Sequence, residues 1–354
     1  MNIKKGLKMN LHRKKIFNQS SREAFDRATI LNGNPNGIFN FNRTNHAWAK
    51  QIYDNMRART WFPSQVDISK DKKNYHLLTE NDKNKYDLVL AQLIANDSLQ
   101  TNQLVDKINS YITSPIVNAC LTLQASEEAN HAYSYAVMAE DICGDTDRIY
   151  RLHEEDEELQ LKNKAVEDLY GTLYNGDDPS DVDMLLAFVA NQILEELVFP
   201  GGFISMYSIE RQMPGSSSMI QEIHKDETLS HVPLFKNIFR TAIKESFNGV
   251  IPTYIVEQSI KMIKAMTDAE IRWTKYTSLN TLGFSEEAIR VAIEAQANSI
   301  CSNLGMDNIY EEVDNNPLKD LLSTHLKGGE FSSRTAFFEK NVADYSKGSL
   351  DLDY

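Results

Sequence analysis

Apolar residues recur every three or four positions along most of the chain, and this period predicts helices rather than strands. In the most regular segment, from Pro115 to Ile142, no Gly or Pro follows the first residue. Thr79 and Asp82 predict a helix start, with a hydroxyl N-cap and an acid in the first turn. The period predicts helices over residues 44–59, 79–108, 115–142, 146–175, 181–212, 217–247, 252–281, 285–304 and 317–326.

Breaks in this period divide the chain. Turn-forming residues cluster at 32–37, and residues 66–78 are expected to form a loop. Pro200, followed by two glycines, is expected to kink its helix. The charged segment 146–175 is expected to be a solvated outer helix. The domain organisation predicted is a loosely structured segment 1–43, a helical domain 44–326 and a flexible tail 327–354.

Composition supports an all-α protein and excludes several functions. Only 15 Gly and 9 Pro occur in 354 residues, and 37 basic against 50 acidic residues give a net charge of −13. Such a charge argues against nonspecific nucleic-acid binding. No apolar run approaches the length of a membrane span, and the basic first residues lack the apolar core of a secretory signal. Three cysteines without a CxxC pair indicate reduced thiols in a cytoplasmic protein.

The helix predicted over 115–142 carries reactive side chains on one face. Glu128 and His131 are three residues apart, and Tyr135 lies one turn further along the same face. Buried charge is costly unless it is paired or bound to metal. Glu-x-x-His is half of the ligand pattern of ferritin-like di-iron and di-manganese proteins. We therefore expect an all-α, ferritin-like helical bundle with additional helices.

Acids and imidazoles at apolar-face positions occur on four separate predicted helices. One Glu-x-x-His is a weak signal in a chain with eight His, but the whole set is specific. Oxygen-rich ligation with one imidazole per metal suits iron or manganese better than zinc. The predicted ligands of two metal ions are Asp97, Glu128, His131, Glu195, Glu227 and His231.

The spacing of these residues resembles that of the small, radical-generating (R2) subunit of class I ribonucleotide reductase. Trp61 lies 36 residues before Asp97, Asp97 lies 31 before Glu128, and Tyr135 lies seven after Glu128. Glu195 matches the third carboxylate of the family, and the last ligand helix matches through its acidic pair at 226–227. The similarity extends from about residue 41 to the end of the chain.

The resemblance implies a ribonucleoside-diphosphate reductase subunit that makes and stores a tyrosyl radical on Tyr135. It implies two metal ions per chain, with iron favoured and manganese as the alternative. Trp61, Asp226 and Tyr345 are expected to pass the radical equivalent to a separate large subunit, which reduces ribonucleotides to deoxyribonucleotides. A homodimer, and docking of the tail 349–354 on that large subunit, are also implied.

The resemblance also predicts an apolar pocket around Tyr135, although plain core packing would give the same sequence pattern. The pocket residues are those placed one or two helical turns from the expected ligands. They are Leu90, Phe199, Phe203 and Ile223.

One feature departs from the family pattern. The last ligand pair, Glu227 and His231, is four residues apart rather than three. The extra residue turns a regular helix by about 100°. Pro233 already disturbs hydrogen bonding at Leu229, and a π turn accommodates one extra residue. We predict a π turn or kink between Glu227 and Pro233, with Glu227 and His231 both binding metal. The alternative is a regular helix in which only one of them binds, or in which Asp226 substitutes.

Two other functions fit parts of the pattern. A ferritin-type iron-binding protein would not need Tyr135, Trp61 or the tail, and is normally about half this length. A ligand-binding dimetal oxidase of the same fold would lack the radical tyrosine. Sequence alone leaves open the metal, the oxidant, any activating flavoprotein and whether the nucleotide is a diphosphate or a triphosphate.

Overall fold

The computed structural model describes residues 10–171, 178–278, 285–312 and 317–328, and their fold is all-α. Within these ranges there is no strand, and β structure is limited to one isolated bridge between Asn10 and Ser180. The helices longer than one turn are α1 (Ala47–Ala58), α2 (Ser69–Leu77), α3 (Glu80–Gln103), α4 (Pro115–Met138), α5 (Thr146–Glu155), α6 (Glu157–Leu169), α7 (Asp181–Ile193), α8 (Phe199–Tyr207), α9 (Pro214–Asp226), α10 (Val232–Phe247), α11 (Thr253–Ser278), α12 (Glu286–Leu304) and α13 (Pro317–Gly328).

Polar caps begin several of these helices. The side chains of Thr79, Ser180 and Ser285 each accept a hydrogen bond from a backbone N–H three residues later. The predicted helix start at Thr79 is confirmed. Asn248 ends α10 and Gly305 ends α12 in left-handed backbone conformations, with φ of 52° and 84°.

Two predicted segments differ from the observed ones. Residues 66–78 contain helix α2, where a loop was expected. Buried Asp71 on α2 accepts hydrogen bonds from the backbone N–H groups of Gly215 and Ser216, at 3.0 and 2.6 Å, and so ties α2 to the start of α9. Residues 146–169 form two helices, not one, because Asp156 is extended and its side chain caps α6; the helix end predicted at 175 lies outside the described residues.

Helix α6, which belongs to the segment predicted as a solvated outer helix, is also less solvated than predicted. Lys162 on α6 is buried and pairs with buried Glu270 on α11. A Cβ at Gly201 would overlap the Glu270 carboxylate, so glycine is needed there for α8 to approach α11. The glycines after Pro200 therefore serve close packing.

Four π-helical segments of five residues interrupt the described helices: Leu104–Ile108, Ala139–Cys143, Leu194–Val198 and Glu227–His231. The third precedes Pro200, whose ring disturbs the carbonyl of Glu196. The irregularity expected at Pro200 thus lies upstream of it. The fourth lies just before Pro233, and the π turn predicted there is confirmed.

The long helices build one core around the last two π segments. Helix α4 packs against α3 and α9, and the two π segments pack against each other. Apart from the Asn10 bridge, the regular structure of residues 10–43 is a short 3₁₀ turn at Phe25–Arg27, yet Leu11 and Ile30 are buried in the core. The predicted domain boundaries at 43 and 326 remain predictions.

Candidate metal centre

The structure brings all six predicted ligands together in the middle of the bundle. They come from α3, α4 and the last two π segments, and none is more than 1% exposed. The six are Asp97, Glu128, His131, Glu195, Glu227 and His231.

These side chains form two overlapping groups, each compact enough to hold one ion. Within each group the candidate ligand atoms lie within 4.8 Å of one another. The first subsite contains Asp97 and His131, and the second contains Glu195 and His231. Glu128 and Glu227 belong to both subsites, so two carboxylates can bridge the two ions.

The shared carboxylates direct one oxygen towards each imidazole. Oε2 of Glu128 lies 3.4 Å from Nδ1 of His131, and its Oε1 lies 3.2 Å from Nδ1 of His231. Oε1 and Oε2 of Glu227 lie 3.2 and 2.7 Å from the same two nitrogens. Each imidazole therefore points Nδ1 inward, which leaves Nε2 for contacts outside the cluster.

Buried polar atoms that lack a hydrogen-bond partner among the described residues face this centre. Unpartnered buried atoms are costly, and in native proteins an ion or water commonly satisfies them. A donor set of oxygens and imidazole nitrogens fits two divalent cations. These unpartnered atoms are both carboxylate oxygens of Asp97, Oε2 of Glu128, Nδ1 of His131, Oε2 of Glu195 and Oε1 of Glu227.

Electrostatics also favour bound cations. Burial, followed by repulsion from Glu227 and Glu128, raises the pKa of Glu195 well above its ordinary value. Burial lowers the pKa of His131, but the carboxylates of Asp226, Asp97 and their neighbours around the ring outweigh burial, and the net pKa is raised. The cluster therefore retains protons in the absence of metal, and cations can replace that positive charge.

The π segment at Glu227–His231 positions the unusual ligand pair. Its i→i+5 bonding widens the turn, so that residues four apart come close to the same side. Both side chains consequently reach the centre, with 2.7 Å between Oε2 of Glu227 and Nδ1 of His231. Asp226, the alternative ligand, lies outside both subsites.

Asp226 contacts the outer side of His131. Its Oδ2 lies 3.3 Å from Nε2 of His131 and accepts a hydrogen bond from Nε1 of Trp61 at 2.6 Å. The rings of Trp61 and His131 are nearly parallel, 21° apart, with centroids separated by 6.3 Å. The indole, the carboxylate and the imidazole thus form one continuous connection out of the first subsite.

Glu127 holds the outer side of His231 in the same way. Its Oε2 lies 2.9 Å from Nε2 of His231. We did not predict this contact from the sequence. In retrospect the sequence contains a signal, because an acidic residue directly precedes each of the two shared glutamates. Glu127 precedes Glu128 and contacts His231, and Asp226 precedes Glu227 and contacts His131. Such outer contacts fix the tautomer and the ring orientation of a metal-binding imidazole.

Two glutamines orient the carboxylates of the second subsite. Gln100 and Gln124 donate hydrogen bonds to Oε1 of Glu195, at 2.5 and 2.7 Å. Gln124 also donates to Oε1 of Glu128 at 3.1 Å. These amides leave Oε2 of Glu195 directed at the centre.

Tyr135 is fully buried one turn beyond His131. Its hydroxyl has no hydrogen-bond partner among the described residues. Burial is the main cause of its strongly raised pKa, and repulsion from Asp97, Glu227 and Glu128 adds to it. The phenol therefore stays protonated, within electrostatic range of the carboxylate cluster.

The predicted pocket residues are all completely buried in the same core: Leu90, Phe199, Phe203 and Ile223. Tyr345 and the tail 349–354 lie outside the described residues, so their predicted roles are not tested.

The all-α bundle and its paired carboxylate–imidazole subsites define a ferritin-like protein with a candidate dimetal site. Within that class, the chain belongs to the family described as ribonucleotide reductase, small chain, whose model matches residues 38–317. A small chain of a two-subunit reductase implies a large-subunit partner.

Individual proteins agree with this family. The chain is 30% identical over 352 residues to the ribonucleoside-diphosphate reductase subunit beta of Treponema pallidum, covering 97% of each chain. It resembles the ribonucleotide reductase R2 subunit structure from Clostridium botulinum with a TM-score of 0.82 and 28% identity, over 90% of this chain and 99% of that one. The dimanganese(II)-NrdF structure from Streptococcus sanguinis shares the fold at 18% identity, with a TM-score of 0.67 over 82% of this chain and 99% of that one.

None of the described helices is both long and apolar enough to cross a membrane.

Proposed function

We propose that this chain is the radical-generating subunit of a ribonucleoside-diphosphate reductase, with a dimetal centre that oxidises Tyr135. The observation that carries the proposal is the pair of buried subsites sharing Glu128 and Glu227, with a buried phenol one turn from His131. When bound, the metal pair supplies the redox chemistry that removes an electron and a proton from Tyr135.

Protein residues hold that centre and protect the radical. Glu128 and Glu227, which both subsites share, would hold both ions, while Asp226 and Glu127 orient the imidazoles. The buried core around Tyr135 limits access of water and reductants to its ring. A donor set of carboxylates with one imidazole per metal suits iron or manganese; iron is the metal proposed, with manganese as the alternative.

The radical equivalent then leaves through the outer contacts of His131. Trp61 and Asp226 form the inner part of the proposed route, and their 2.6 Å hydrogen bond gives a path for coupled electron and proton movement. Tyr345 is proposed as the relay to the large subunit, which binds and reduces the ribonucleotide. The tail 349–354 is proposed to dock on that subunit, and the small subunit is proposed to be a homodimer. The three free cysteines fit a cytoplasmic location.

Substituting Tyr135 by Phe tests the central claim. Tyr135→Phe should bind both metals, because none of the six proposed ligands changes, but should lose the tyrosyl electron paramagnetic resonance (EPR) signal of the wild type. It should also lose ribonucleotide reduction when mixed with the large subunit. A variant that keeps reductase activity would refute the assignment of Tyr135. Wild-type protein that binds fewer than about one metal per chain would refute the dimetal centre.

A further inference from the structure

Another buried tyrosine lies near the predicted pocket. Tyr207, at the end of α8, is 1% exposed, and its hydroxyl lies 3.1 Å from Nδ1 of His224 on α9. Tyr135 has no such partner among the described residues. Of these two tyrosines, Tyr207 is therefore the one with a base in place to take its proton.

The Tyr207–His224 pair lies close to the metal centre. His224 precedes Glu227 by three residues, which is one turn of helix. The His224 ring is 5.1 Å from the ring of Phe203, which stacks on Phe199 at 6.3 Å, so the pair borders the predicted apolar pocket. Tyr207 also contributes repulsion to the raised pKa of Tyr135, after burial and the nearer carboxylates. The two phenols are thus within electrostatic range of each other.

Both partners are neutral at rest. Burial raises the pKa of Tyr207 well above its ordinary value. Burial lowers the pKa of His224 to about 3, so the imidazole has a free nitrogen to accept the phenol proton. In the tautomer that carries its N–H on Nε2, Nδ1 of His224 accepts the hydrogen bond from the Tyr207 hydroxyl.

The last described helix covers this pair. His325 on α13 stacks on the Tyr207 ring, with centroids 3.9 Å apart and planes at 16°. Its Nδ1 donates to the carbonyl of Leu321 at 2.8 Å, and its Nε2 lies 3.2 Å from Oε2 of Glu210. These contacts hold the imidazole over the phenol and shield it from solvent.

We propose that Tyr207 is a second redox-active tyrosine, which yields an electron to the oxidised metal centre when Tyr135 cannot. The proposal rests on the proposed function. An oxidant of the dioxygen class first oxidises the metal centre. One electron then passes from Tyr207 to that centre and lowers its total oxidation state by one. The hydroxyl proton moves to Nδ1 of His224. The products are a neutral phenoxyl radical and an imidazolium. Surplus oxidising equivalents then end on Tyr207 instead of on a metal ligand.

EPR spectroscopy after Fe(II) loading and exposure to dioxygen tests this role, in wild type, Tyr135→Phe and Tyr135→Phe/Tyr207→Phe proteins. Wild type should show the Tyr135 radical. Tyr135→Phe should show a different tyrosyl signal, with coupling to one exchangeable proton from the His224 hydrogen bond. The double variant should lose that signal. Tyr135→Phe/Tyr86→Phe is the matched control, because Tyr86 is equally buried but bonds to the Ser216 hydroxyl at 2.8 Å.

The outcomes separate this inference from the proposed function. A wild-type radical together with no tyrosyl signal in Tyr135→Phe overturns the role of Tyr207 alone. A signal that survives Tyr207→Phe in the double variant does the same. Absence of any radical in wild type, with iron or with Mn(II) and superoxide, overturns both. Circular dichroism and metal content should match among the variants, which excludes misfolding as the cause of a lost signal.

Discussion

Truncating Glu127 tests whether the outer contact of His231 supports metal binding. Glu127→Ala removes the carboxylate that lies 2.9 Å from Nε2 of His231 and leaves the six proposed ligands unchanged. Loss of such a contact usually weakens metal affinity 10- to 100-fold, or about 1.4–2.8 kcal/mol. The Glu127 side chain is 12% exposed, so water can partly replace it. We therefore expect a loss closer to tenfold, confined to the second subsite.

The assay is an anaerobic titration with Fe(II) against a chromophoric chelator, fitted to two sites. Anomalous diffraction at the iron edge then identifies the depleted subsite. Asp226→Ala is the matched variant, because Asp226 makes the equivalent contact to His131. This substitution should weaken metal binding at the first subsite. Glu127→Gln keeps an acceptor for Nε2–H and should retain most of the affinity. Glu140→Ala, at an exposed position after α4, should change nothing.

Two results would refute this reasoning. Glu127→Ala could bind both ions as tightly as wild type, which would show that the contact does not support the ligand. Alternatively, the depleted subsite could be the one with His131. That result would show that the contact of Glu127 with His231, on the opposite helix, does not control which ion is lost.

Three further predictions concern the ligands, the tail and the core. Glu195→Ala should lower metal content, measured by atomic emission, while circular dichroism shows the helices intact; full metal content would contradict Glu195 as a ligand. Removing residues 349–354 should abolish activity with the large subunit but spare the metals and the Tyr135 radical, and unchanged subunit affinity would count against docking. Lys162→Met should lower the free energy of unfolding by about 3–5 kcal/mol, because Glu270 is left buried without its partner. A free energy of unfolding, measured with denaturant, that lies within about 1 kcal/mol of the wild-type value would contradict this.

The sequence predicted which six side chains the structure brings together, because helical spacing and buried charge are both local signals. Glu128 and His131 share a face whatever the tertiary packing, and an acid on an apolar stripe needs a partner. The π turn before Pro233 was predictable for the same reason, since proline disturbs a specific carbonyl four residues earlier.

The failed predictions depended on contacts between distant segments. Helix α2 is tied to α9 through Asp71, and Lys162 is buried because Glu270 lies 108 residues away on α11. Asp156 is a local exception: it could continue a helix or cap the next one, and its side chain caps α6 by accepting a hydrogen bond from the backbone N–H of Leu159. The role of Glu127 was not predicted, because its neighbour Glu128 already accounted for a metal-binding carboxylate at that point of the helix.

The π turn at Glu227–His231 also bears on how such a chain tolerates insertions. One extra residue in a regular helix would rotate all of α10 by about 100° and turn its buried Leu234 and Phe235 away from the core. Because the widened turn absorbs that residue locally, the downstream register is preserved. A length change in the ligand motif can therefore arise in one mutational step without repacking the bundle. Motif searches that demand a fixed three-residue spacing would miss chains of this kind.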